Sequence, residues 1–485
     1  MTGLPTTAPP PRADFVRAIS RLDAAALVVG SMIGSGIFIV SAEILREVHA
    51  PGWLLVVWAL SGTVTFIGAL GFGELAAMFP HAGGQYVYLR EGISPLFGYL
   101  YGWTLFLVIQ TGTIAAVAVA FARFAAVFWP GLSPDVFLGW TVPFPPPIGE
   151  VPVGLSPQRL LAVASVLVLT WVNVRGVKTA AVIQTALTTV KTAALAALIL
   201  LGLTIGRHAD AITANFGAKF WATGGLSVGL ATIGAAMVGS LFSMDAWNNV
   251  GFAGSELKDP RRDLPFAMGA GVLIVTVLYL LANVAYLSVL PAPAIATAPQ
   301  DRVATAALQA ILGQPGLKLM AAAIMISTFG CNNGLILSGA RVYYAMARDA
   351  LFFRAAGTLH PRYKTPAVAL ILQAVWTSLL CLSGTYTKLL DFVIFAALLF
   401  YMLTTVGLFG LRIRRPGAER AVRAPGYPWL PALYVLVTTA IAADLVIAPA
   451  TRTYSTLGFG LVLLGVPVYF GWRALGNRTR ASSLH

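Results

Sequence analysis

The sequence predicts an all-α polytopic membrane protein with two broken helices, and three observations carry that prediction. Of the 485 residues, 58% are hydrophobic and only 10% charged, whereas soluble domains carry roughly 25% charged residues. Apolar runs of about twenty residues, the length that crosses a bilayer, recur twelve times along the chain. Two of these runs are interrupted near their middle, at Gly34-Ser35-Gly36 and at Phe242-Ser243-Met244-Asp245-Ala246-Trp247. A helix in lipid must satisfy its own backbone, so such breaks persist only where protein or a water-filled cavity surrounds them. A pair of interrupted helices in corresponding halves of a chain points to the binding site of a carrier.

The twelve runs are 22–46, 52–79, 94–128, 156–174, 180–206, 227–256, 264–290, 315–348, 366–386, 389–411, 429–449 and 454–473. Several exceed the bilayer thickness, which implies tilt, breaks or extensions into water. Residues 1–21 carry four prolines and no apolar core, so they are expected to be a loose tail rather than a cleavable signal. A second short tail is expected at 474–485. No soluble domain or low-complexity tract stands out.

Charge placement sets the orientation. With the N-terminus inside, cytoplasmic segments and their flanks hold 22 Lys and Arg and external segments 8, while Arg123 and Lys191 within spans complete the 32. Both termini are therefore expected in the cytoplasm. The chain looks bacterial in its alanine content and short loops, which places it in the inner membrane. The net charge of +14 is explained by topology and calls for no nucleic-acid partner.

Span 2 leaves the membrane through GELAAMFPHAGGQYVYLREG (73–92), with Glu74 about one turn inside the surface. That carboxylate either pairs with a loop cation or takes part in gating. Gln110, Thr111 and Thr113 of span 3 are of the type that hydrogen-bonds between helices, and Arg123 lies near a span end where snorkelling is cheap. The loop 129–155 is proline-rich and external. Lys191, about the twelfth residue of span 5, is too deep to snorkel; a lone ammonium there costs at least ~2.5 kcal/mol and is by default functional. Asp245 is the one carboxylate placed near mid-membrane. It can bind an amine, carry a proton, or cap a half-helix N-terminus. Span 8 carries Ser327, Thr328, Asn332 and Asn333, while spans 9–12 read as plainly apolar.

Two half-helices meeting at a break expose N–H groups from one end and C=O groups from the other. The first attract a carboxylate and the second an ammonium, so the pair suits an α-amino acid. Gly34 and Gly36 bring the backbone close to such a ligand. In this reading the amides of Ser35, Gly36 and Ile37 take the carboxylate, carbonyls near Met32, Ile33, Phe242 and Ser243 take the ammonium, and Phe242 and Trp247 supply an apolar wall.

The motifs VGSMIGSGIF (29–38), FGELAAMFPHAGGQYVYLRE (72–91), LFSMDAWNNVGFAGSELKDPRRDLP (241–265), NVAYLSVL (283–290) and STFGCNNG (327–334) together closely resemble the amino acid–polyamine–organocation superfamily. Within it they resemble bacterial relatives of the L-type amino acid transporters. The match covers spans 1 to 8 by motif and the remainder by hydropathy. The resemblance implies two inverted five-helix repeats, 22–206 and 227–411, followed by two extra helices at 429–473. It implies a bundle of spans 1, 2, 6 and 7 moving against a scaffold of spans 3, 4, 8 and 9, and sodium-independent exchange of neutral L-amino acids. Lys191 falls where some relatives keep a lysine in place of sodium, with Gly34 and Ser327 or Thr328 as expected neighbours, and Phe242 matches the gating aromatic. Ala246 departs from the glycine of many relatives; its methyl either narrows the pocket toward small substrates or alters local packing.

Animal relatives join a heavy chain through a cysteine in the loop after span 3. This loop has none, so no disulfide-linked subunit is expected. A proton-coupled symporter is the nearest alternative, with Asp245, Glu74 or Lys191 as the proton carrier. A membrane-embedded enzyme would need convergent catalytic groups, yet all five histidines (His49, His81, His208, His360, His485) fall in loops or the tail. A receptor would be expected to carry an appended signalling domain. The only cysteines, Cys331 and Cys381, lie in spans, and no metal or cofactor is expected.

Overall fold

The computed structural model describes residues 15–143, 150–223, 228–383, 386–447 and 452–482. Each apolar run folds as helix. Span 1 is the bent pair Arg21–Met32 and Gly36–Val48, whose halves meet at 41°. Spans 2 to 8 are Pro51–Met78, Pro95–Ala125, Pro157–Val174, Val177–Leu203, Leu230–Glu256, Pro260–Val289 and Gln314–Arg348. Spans 9 to 12 are Ala367–Ser383, Tyr386–Arg414, Trp429–Ile447 and Arg452–Ser482. Among the described residues ten helices are long and apolar enough to cross a membrane, or eleven with the bent pair. Span 9 is described over the 17 residues Ala367–Ser383, with 384–385 outside the described residues, and is not among those ten. By this measure ten or eleven of the twelve expected crossings are found among the described residues.

Spans 1, 2, 6 and 7 pack mutually, as do spans 3, 4, 8 and 9, and span 5 lies against spans 1, 7 and 8. Both breaks are present. The first half of span 1 ends at Met32 and the second starts at Gly36, with Ser35 as its N-cap. Span 6 runs as α-helix to Ser243, passes through Met244 to Ala246, and continues as a tighter helix over Trp247–Glu256. Ala246 sits in the left-handed region at φ +69°, where a Cβ crowds the backbone by ~1–2 kcal/mol. This accounts physically for a glycine preference at the position. Ala246→Gly is accordingly expected to stabilise the protein by about 1 kcal/mol, read as a rise in thermal midpoint in detergent. A fall would mean that the methyl contributes more by packing than it costs in strain.

Two segments differ from expectation, and a third, the loop after span 3, carries structure that its sequence left open. The N-terminal tail is not loose over its described part: Ile19 N–H donates to the Glu256 carbonyl at 3.0 Å and Lys258 N–H to the Ile19 carbonyl at 3.0 Å. Phe15 packs edge-on against Tyr344 with ring centroids 5.1 Å apart. A capping box between Ser20 and Asp23 then starts span 1. Residues 1–14 of that tail lie outside the described residues. The loop after span 3 forms an antiparallel hairpin, Leu138–Pro143 with Glu150–Leu155, and its prolines at 145–147 lie outside the described residues. The C-terminal tail continues span 12 as helix to Ser482, with 483–485 outside the described residues.

Candidate functional site

Lys191 is 1% exposed and its ammonium donates to three carbonyls: those of Gly30, Ile33 at 2.8 Å and Ser327 at 3.3 Å. Three protons meet three acceptors, which is the full donor capacity of an ammonium. Gly30 makes the approach possible, because a Cβ there would fall 2.2 Å from Thr188 Oγ1 on span 5. The Ser327 hydroxyl donates to the carbonyls of Ile33 (3.0 Å) and Gly34 (3.2 Å). The frayed carbonyl end of span 1 is therefore fastened to spans 5 and 8. Thr328 stays apart, bonded to Ile324 and Met325 within its own helix.

The two breaks touch. A Cβ on Gly36 would lie 2.1 Å from Ser243 Oγ and 3.0 Å from Ser243 Cα. Between them stands Tyr279 of span 7, whose hydroxyl lies 3.0 Å from the Met32 carbonyl and 3.2 Å from the Ser243 carbonyl. One turn on, Asn283 accepts from Ser41 Oγ at 2.6 Å, and Tyr286 OH donates to the Ile37 carbonyl at 3.3 Å. Sequence reasoning missed this stripe. Its signal is the spacing of 279, 283 and 286 on one face of an otherwise apolar helix. Met32 and Ile33 carbonyls, expected to receive a ligand ammonium, already accept protein donors here.

Phe242 and Ser243 close the first half of span 6 and are both buried. Asp245 turns away from span 1 toward span 10, where Tyr401 OH donates to its carboxylate. From there Tyr401 lies 3.3 Å from Asn248 Oδ1, Asn248 Nδ2 donates to Gln85 Oε1 at 2.7 Å, and Gln85 Nε2 donates to Thr404 Oγ1 at 2.9 Å. Span 10 thus contributes chemistry, correcting its reading as plainly apolar. Trp247 is packed between Phe72 and Tyr401, at 4.8 and 5.5 Å between ring centroids.

Asp245 borders two small cavities. One of about 20 Å³ lies toward Thr65, Trp247 and Tyr434; the other, about 10 Å³, lies toward Gln110, Ala246 and Asn249. Each is of the size of a single water, so the molecule is closed around this centre. Ala246 lines the second cavity. Asn249 is 3% exposed and its Nδ2 has no hydrogen-bond partner; a span-3 π-turn at Leu105–Ile109 forms the opposite wall.

Beyond this centre, Glu256 of span 6 and Arg341 of span 8 form an ion pair at 2.8 Å, with side chains 0% and 1% exposed. Arg341 therefore belongs to the interior, not to the surface charges among which it was counted. Glu74 accepts from Arg412 and from Arg420 at 3.0 Å, and from the Ala424 amide at 2.7 Å, which is the loop-cation pairing. Cys331 and Cys381 are buried free thiols. Among the described residues no three His, Cys, Asp or Glu groups converge as metal ligands.

A polytopic helical protein in which two broken helices abut at a buried polar centre, with cations and carbonyls in place of catalytic groups, has the build of a secondary carrier. A profile of the family described as amino acid permease matches residues 19–466, and the chain belongs to that family: it is a membrane transporter and not an enzyme. It is similar to the serine/threonine exchanger SteT of Bacillus subtilis, with 31% identity over 461 residues, covering 94% of this chain and 96% of that one. The b(0,+)-type amino acid transporter 1 of Mus musculus is 29% identical over 465 residues, covering 94% and 89%. The large neutral amino acids transporter small subunit 2 of Homo sapiens is 30% identical over 466 residues, covering 93% and 79%.

Proposed function

We propose that this protein is a sodium-independent exchanger of neutral L-amino acids in a bacterial inner membrane, with both termini cytoplasmic. It works by movement of spans 1, 2, 6 and 7 against spans 3, 4, 8 and 9. The observation that carries the reading is the Lys191 ammonium in its cage of three carbonyls at the break of span 1. A monovalent cation there joins the broken helix to the scaffold, and this one is covalently part of the chain. The names of the relatives, a serine/threonine exchanger and a large neutral amino acids transporter among them, support amino acid exchange.

The substrate carboxylate is assigned to the amides of Ser35, Gly36 and Ile37, which open the second half of span 1. Its ammonium competes for the Met32 and Ser243 carbonyls. The Met32 carbonyl also accepts from the Gly34 N–H at 2.8 Å, so when the single Tyr279 proton serves Met32 the Ser243 carbonyl is the acceptor left to be taken. Phe242 is the gate on the span 6 side, with Asp245 and Trp247 beside the side-chain end. A second reading, proton symport, rests on the Asp245–Tyr401–Asn248–Gln85 chain.

Purified protein in sodium-free proteoliposomes separates the two. Labelled alanine, serine, leucine and arginine are offered to empty vesicles and to vesicles preloaded with unlabelled amino acid. Uptake of neutral substrates only into preloaded vesicles is expected. Equal uptake into empty vesicles, stimulated by an inward proton gradient, would replace exchange with symport through Asp245.

A further inference from the structure

A cleft lies away from the breaks. It measures about 990 Å³ and opens on the face where the N-terminal segment sits. Its walls come from separate parts of the chain: Phe15 and Arg17 from that segment, Lys258 to Arg261 after span 6, and Tyr344 to Asp349 at the end of span 8. Five basic side chains line it, Arg17, Arg90, Lys258, Arg261 and Arg348, against the carboxylates of Asp259 and Asp349. Arg90 pairs with Asp349 and Glu91, and Arg261 with Glu419. Arg17, Lys258 and Arg348 are exposed and make no ion pair among the described residues.

Cations that only set membrane orientation need to lie on one side of the bilayer; nothing requires them to converge. Here three face one concavity, whose low-dielectric walls focus a positive potential. We propose that this cleft binds a phosphate-bearing anion through Arg17, Lys258 and Arg348, and that the bound anion holds this face closed. A phosphate group offers several acceptor oxygens, matched to guanidinium forks and to a lysine point charge. The three cations sit on the N-terminal segment, on the connection after span 6 and at the end of span 8, so an anion joining them ties the span 1 and 6 side of the molecule to the span 8 side. The phosphate can come from a lipid headgroup or from a soluble phosphate compound.

The test uses the full chain in neutral detergent at low ionic strength, with inorganic pyrophosphate titrated by calorimetry. In parallel, phosphatidylcholine nanodiscs with and without phosphatidic acid are compared by thermal midpoint. The combined variant Arg17→Gln, Lys258→Gln, Arg348→Gln should bind pyrophosphate about tenfold or more weakly, whereas Arg362→Gln, exposed and outside the cleft, should not. Stabilisation by phosphatidic acid without pyrophosphate binding would assign the site to a lipid headgroup, and the reverse to a soluble ligand. In a Cys381→Ala background, maleimide labelling of Cys331 beside Gly34 reports opening and should slow when the anion is bound. Binding of neither probe, or equal binding by the combined variant, overturns the site. Unchanged labelling overturns the closing role.

Discussion

Lys191→Ala should lower the exchange rate by ~100-fold or more, with the protein still monodisperse. The ammonium makes three charge-assisted bonds across the interface of spans 1, 5 and 8. Removing it leaves the Gly30 carbonyl, at the frayed end of span 1, without this donor in a dry interior, and a buried unsatisfied group costs about 1–3 kcal/mol; the Ser327 carbonyl keeps its place in the span 8 helix. Ser327 keeps one bond to Ile33, so the break loosens without falling apart. A loss near 2.7 kcal/mol in the productive arrangement corresponds to about a hundredfold. Lys191→Met separates charge from bulk, since it keeps a long apolar stem and removes the donor. Both variants should fail alike in counterflow assays. Exchange at the original rate in Lys191→Met would reduce the residue to packing.

The next largest effect is expected at Glu256 and Arg341. Taking away either partner strands the other charge among side chains that are 0% and 1% exposed, at a cost of about 3–5 kcal/mol. Glu256→Leu alone and Arg341→Met alone should each lower the thermal midpoint sharply. Combined, they should recover most of it, because an apolar pair of similar volume replaces a buried ion pair at little net cost. If the single variants unfold at the original temperature, water reaches the pair and the layer is not sealed. The combined variant also removes an ion-pair contact between spans 6 and 8, so faster labelling of Cys331 is expected with it.

The parts legible in the sequence are those in which a residue type conflicts with its surroundings. Two glycines around a serine in a lipid-length helix, or one lysine twelve residues into it, have few structural solutions, and their positions follow from chain distance alone. What stayed hidden depends on direction around a helix axis. Asp245 follows from the break in span 6, but sequence does not tell that it faces Tyr401. Tyr401 and Thr404 look ordinary within span 10 until Asn248 and Gln85 arrive from elsewhere in the chain. Arg341 lies seven residues from Arg348 on one helix, and only the position of Glu256 makes one internal and leaves the other at the surface. Phe15 to Ser20 read as a tail because strand pairing with Leu257 needs a partner some 240 residues away.

The placement of Lys191 has an energetic corollary. An ion borrowed from solution enters on one side and leaves on the other, and its gradient and the membrane voltage do work on the cargo. An ammonium on a covalent stem returns to its starting point with every cycle and contributes no work. A carrier built this way, moving neutral cargo in both directions, draws only on the concentration ratios of the amino acids themselves. It redistributes cellular pools toward balance, and the driving force for accumulating any one of them has to be generated by other proteins in the same membrane.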